Sequence, residues 1–93
     1  MKHRHNSVFY KRVLKNNTYL LKKYGISQKA QIEALREHGI RISASGISRY
    51  KHGIYKTCSL TYLQIFAEYW FIGLPELMWF DYEVSDLLKS NSV

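Results

Sequence analysis

The chain has 93 residues, enough for one domain with a single core and little surplus burial. At 46% hydrophobic and 15% aromatic it is not a disordered tail, and no apolar run reaches the ~18–20 residues that span a membrane. The net charge of +7 is sorted along the sequence: residues 1–56 hold 13 Lys and Arg against Glu33 and Glu37, a net +11, whereas residues 57–93 hold Lys89 against five acids, a net −4. Such sorting predicts a cationic face and a neutral-to-acidic back. Polyphosphate suits a face of that kind, because each neutralised phosphate releases counterions. The start MKHRHNSVF lacks the apolar segment of a signal peptide, so a cytoplasmic location is expected. Cys58 stands alone, which rules out an intrachain disulfide and suits a small buried apolar residue.

Taken in chain order, residues 1–6 read as a flexible basic arm, 7–84 as the folded domain and 85–93 as a C-terminal tail whose end, KSNSV, should fray. Five helices are predicted, with no strand beyond the four alternating residues of IRIS. The fold class is therefore all-α. The first helix covers about 7–24, with Tyr10, Val13, Leu14, Leu20, Leu21 and Tyr24 as its inward stripe, Lys11, Arg12, Lys15, Lys22 and Lys23 on the other face, and Gly25 as its stop. The second covers about 28–38, capped by Ser27 and stopped by Gly39, with Ile32 and Leu35 inward and Ala30 and Ala34 alongside. The third runs from the cap Ser43 to the stop Gly53, and IYKTC follows as a loop. Ser59 caps a fourth helix with Leu60, Leu63, Ala67 and Trp70 inward, and IGLP ends it with Gly73 at the turn. Pro75 suits the first turn of a fifth helix that continues through ELMWFDYEVSDLL.

The third helix, SASGISRYKHG, is the unusual one. At 100° per residue, with Ile47 and Tyr50 toward the core, Ser45, Arg49 and His52 fall on the outer side with Ser48 at its margin, flanked by Ala44 and Gly46. A helix that enters the DNA major groove needs little bulk and a few donors, and Arg grips guanine bidentately. The same segment equally suits an exposed helix whose glycine packs against helix two. The flanks favour nucleic acid. Ser27 and Gln28 open the preceding helix with amides able to hold a phosphate, and Lys51, Tyr55 and Lys56 are placed to touch the backbone.

The stretch SASGISRYKHG followed by SLTYLQIFAEYWFIGLPELM resembles the lambda-repressor-like (Cro/repressor, Xre-type) helix-turn-helix family. Ile47, Ser48, Arg49 and Gly53 match its recognition helix; Ser59, Leu60, Leu63, Phe66, Ala67, Trp70, Ile72, Leu74, Glu76 and Leu77 match the segment after it. Ser27-Gln28 matches the opening of helix two. The chain departs from the pattern in REHGIRI, which carries extra residues and implies a longer helix two or a looser connection. The resemblance implies a five-helix domain that regulates transcription, most often as a repressor, by binding double-stranded DNA as a homodimer. It places base contacts at Ala44, Ser45, Ser48, Arg49 and His52, and phosphate contacts at Gln28, Lys29, Lys51, Tyr55 and Lys56.

The segment YWFIGLPELMWFDY is too aromatic for one small core, so some of Trp70, Phe71, Trp79, Phe80 and Tyr82 should stay exposed. Trp79, Phe80 and Tyr82 are the candidates for a dimer interface or a protein partner. An antitoxin or co-regulator of the same fold is the alternative reading, and RNA binding through the basic face a third. No zinc-ligand spacing, nucleophile elbow, phosphate-binding glycine loop or paired carboxylate site stands out, so neither a metal, a cofactor nor an enzymatic activity is expected.

Overall fold

A computed structural model of the chain describes residues 4–5, 8–52 and 58–91. Among these the elements follow as β1 (Arg4–His5), α1 (Val8–Lys23), α2 (Gln28–Glu37), α3 (Ala44–Lys51), β2 (Cys58–Ser59), α4 (Leu60–Trp70), α5 (Leu74–Trp79) and α6 (Tyr82–Asn91). The protein is all-helical apart from the antiparallel pairing of Arg4 with Ser59 and His5 with Cys58. That pairing ties part of the expected basic arm to the residues before α4; positions 1–3, 6 and 7 lie outside the described residues. Cys58 is described only through its backbone. Among the described residues no helix is long and apolar enough to cross a membrane.

The ends of the first four helices follow from local chemistry. Ser27, Ser43 and Ser59 each accept a hydrogen bond from the amide three residues on, at 3.0, 3.0 and 3.2 Å, satisfying donors that a helix start leaves open. Gly25 and Gly39 take left-handed conformations, φ 67° and 80°, which let Ile26 and Ile40 donate back to the carbonyls of Leu21 and Leu35 at 2.8 and 2.9 Å. α4 ends in the same way, with Ile72 N–H on the Ala67 carbonyl, but here the left-handed residue is Phe71, φ 56°. Gly73, expected at that turn, is instead the N-cap of α5.

The core gathers Tyr10, Val13 and Leu14 of α1, Ile47 of α3, Leu63, Phe66 and Ala67 of α4, and Leu74 and Leu77 of α5. Leu20, Leu21 and Leu35 are buried as well. Tyr24 is not: it is 61% exposed, because α1 runs past the core, and its ring leans on Trp70 at 6.1 Å. Ala30 is exposed and Ala34 half-buried, while Gln31 takes the fully buried position on α2. Gln31 meets Asn17 of α1 in a reciprocal amide pair, at 3.1 and 2.6 Å, and the Asn17 carbonyl also accepts from the Trp70 indole at 2.8 Å. Fully partnered polar groups of this kind fix how helices register, whereas an unpartnered one costs 1–3 kcal/mol or so.

A sixth helix replaces the expected continuous fifth. The side-chain amide of Asn16 donates to the carbonyls of Leu77 and Phe80, at 2.9 and 2.7 Å, and its carbonyl accepts from Tyr82 N–H at 3.2 Å. That clamp holds Phe80 extended, φ −82° and ψ 137°, and the chain restarts with Asp81 accepting from Val84 N–H at 3.0 Å. α6 takes in residues 85–91, placed in a tail beyond the domain, including 89–91, which were expected to fray; 92 and 93 lie outside the described residues.

Candidate nucleic-acid interface

α3 is pinned from beneath. Ile47 is entirely buried, and Tyr50 stacks between Tyr10 of α1 at 6.2 Å and Tyr62 of α4 at 4.7 Å, with Phe66 behind Tyr62 at 5.5 Å. The opposite side carries the side chains singled out from sequence. Ala44, Ser45, Ser48, Arg49 and His52 are all exposed, and His52 forms the C-cap. Ser45 Oγ lies 3.3 Å from the capping Ser43 Oγ, so that hydroxyl pair is already oriented at the first turn. Gly46 has a local reason as well: a Cβ there would come within 3.0 Å of Ser43 Oγ, against the cap rather than against α2.

The residues proposed from sequence for phosphate contact are divided. Lys51 is exposed at the end of α3; Gln28 and Lys29 occupy the first turn of α2, half-buried and exposed; Tyr55 and Lys56 lie outside the described residues, as does the stop Gly53. Residues 38–43 connect α2 to α3, longer than the three or four residues of a tight helix-turn-helix, as the extra length of REHGIRI suggested. Ile42 packs onto the core and anchors that connection.

A feature not foreseen in the sequence adjoins α3. Lys11, Arg12 and Lys15 of α1 and Lys51 of α3 line a cleft of about 370 Å³. Ion pairs fasten two of these cations, and a third on α1, to the chain's C-terminal acids. Lys15 Nζ is 2.9 Å and Arg12 Nε 3.9 Å from Asp81 Oδ2, Lys15 is 4.0 Å from Glu83, and Lys23 is 2.8 Å from Asp86. Arg12 Nη1 also donates to the Trp79 carbonyl at 3.2 Å. Lys15, then the Val84 amide, hold the Asp81 carboxyl below its ordinary range; Lys23 and the Tyr19 hydroxyl do the same for Asp86. In return, the bond to Asp86 raises the pKa of Lys23 and of the Tyr19 phenol. Asp81, Glu83 and Asp86 therefore lie on cations of α1.

Of the aromatic candidates for an interface, Trp79 is 69% exposed and stacks on Phe9 at 4.6 Å, and Phe80 is exposed. Tyr82 is half-buried against the core, with its hydroxyl donating to Glu76, and so belongs to the packing of the domain. Phe71, Val84, Leu87 and Leu88 are further exposed apolar side chains. Compared with family models, with characterised proteins and with solved structures, the chain has no match.

Proposed function

We propose that the protein is a sequence-specific DNA-binding regulator of transcription in the cytoplasm, most simply a repressor, of the lambda-repressor-like helix-turn-helix kind. In this reading α3 enters the major groove, Arg49 is the main base reader, and Ala44, Ser45, Ser48 and His52 complete the contact. Gln28, Lys29, Lys51, Tyr55 and Lys56 grip phosphates. One observation carries the reading: α3 turns a small, cationic, exposed face outward while Ile47 and Tyr50 anchor it rigidly from below. A groove about 12 Å wide admits such a helix, and a rigid anchor keeps its donors in register with base edges. Trp79 and Phe80 are the surface through which two copies would pair on a two-fold symmetric site.

Binding of duplex DNA by Arg49→Ala and Lys51→Ala tests the reading. Arg49→Ala should cost about 1–3 kcal/mol on a preferred site and relax preference at one base pair. Lys51→Ala should weaken all sequences alike and lower the salt slope by about one. Equal losses for Arg49→Ala on preferred and random duplexes would reject the base-reading role.

A second reading, an antitoxin or co-regulator that clasps another protein, is favoured by the exposure of Trp79, Phe80, Val84, Leu87 and Leu88 within one short C-terminal segment. Absence of duplex binding even at low salt would support it over the first.

A further inference from the structure

The cleft between α1 and α3 brings four cations around one space, yet a neighbouring acid already holds two of them. We propose that this cleft is a seat for a phosphate group and that Asp81 is its built-in competitor. The seat deepens the duplex-binding reading and rests on it for the source of the phosphate, which would be the DNA backbone beside α3.

The two oxygens of Asp81 have different tasks. Oδ1 accepts from Val84 N–H and starts α6, while Oδ2 faces Lys15 and Arg12. The Asp81 side chain is only 16% exposed, so it meets these cations from within the fold and leaves the open side of the cleft to a ligand. Lys11 and Lys51 also line the cleft, and neither takes part in an ion pair among the described residues. A phosphate offers several oxygens to point charges and to a guanidinium, so it can draw Lys15 from Asp81 while also engaging Lys11 and Lys51. Arg12, tied to the Trp79 carbonyl, stays on the wall of the cleft throughout. Affinity for phosphate then depends on where the start of α6 holds Asp81.

Asp81→Asn removes the competing charge and keeps a good capping side chain. Glu68→Gln, on α4, is the control for net charge alone; both variants should first show native helicity by circular dichroism. Binding of a random-sequence duplex and of inorganic tripolyphosphate is measured across a salt series. Asp81→Asn should bind both about two- to fivefold more tightly than the native protein, the scale of one exposed ion pair, and steepen the duplex salt slope by about 0.9. Adding Lys15→Gln should erase the gain. A gain no larger than that of Glu68→Gln, or one that survives Lys15→Gln, overturns the proposal. Tighter tripolyphosphate binding by Asp81→Asn with no duplex binding by either protein would uphold the seat and its competitor while removing the duplex reading. Binding of neither probe overturns both.

Discussion

Helices α1 and α3 both present polar and cationic side chains around the same cleft, and they hold them in opposite ways. On α1 several of these side chains are committed to partners within the molecule. Arg12, Lys15 and Lys23 meet Asp81 and Asp86, Asn16 clamps the α5–α6 junction, and Asn17 holds Gln31 and Trp70. On α3 the underside packs through Ile47 and Tyr50, and Ala44, Ser45, Ser48, Arg49 and His52 are exposed on the outer side. A count of cations along the chain therefore overstates the charge that a partner meets. Substitutions of Asn16 and Asn17 on α1 should register mainly in stability, and those on the outer face of α3 mainly in binding.

The largest expected effect that separates the two helices is that of Asn17→Ala. It strands the buried Gln31 amide and the half-buried Trp70 indole and should lower unfolding free energy by about 2–4 kcal/mol in a denaturant titration. Ser48→Ala, on the exposed side of α3, should in the same titration stay within about 0.5 kcal/mol of the native protein. Similar losses for the two would break the contrast. A change outside both helices sharpens it: Phe71 is 97% exposed in a left-handed conformation that favours glycine, so Phe71→Gly should stabilise by about 1 kcal/mol and leave duplex binding unchanged.

The smallest effect expected is that of acid. Because Asp81 and Asp86 titrate below the ordinary carboxylate range when folded, what they add to stability is fully present above a pH of about 4, the unfolded value, and is lost as pH falls below it. The denaturant midpoint should be flat near neutrality and decline below pH 4 or so, less steeply in a Lys15→Gln, Lys23→Gln double variant. An equal decline in both would mean these ion pairs carry none of it.

The starts of α2, α3 and α4 and the stops of α1 and α2 were legible because they are local: a serine hydroxyl reaches three residues forward and a glycine turns the chain where it stands; the stop of α4 was not, since Phe71 takes the left-handed turn expected of Gly73. The outer face of α3 was legible from helical geometry once Ile47 was set inward. The division of α5 from α6 was not, since Asn16, far back in the chain on α1, imposes it through the Leu77 and Phe80 carbonyls. Pairings of Arg12, Lys15 and Lys23 with Asp81 and Asp86 are equally long-range, and they bring these two acids, expected on the back, onto α1. One signal was available in the sequence: Asn17 falls on the stripe of Tyr10, Val13, Leu14 and Leu21, where a polar residue implies a buried partner. Tyr24 continues that stripe one step further and misled, because α1 extends beyond the core.

The proposal that α3 reads DNA is tested most directly by selecting bound fragments from random duplex DNA with the native protein and, side by side, with Arg49→Ala. The account predicts one enriched, two-fold symmetric site for the native protein, and loss of preference at a single symmetry-related position for the variant. No enrichment by the native protein, or identical preferences for the two, would contradict it.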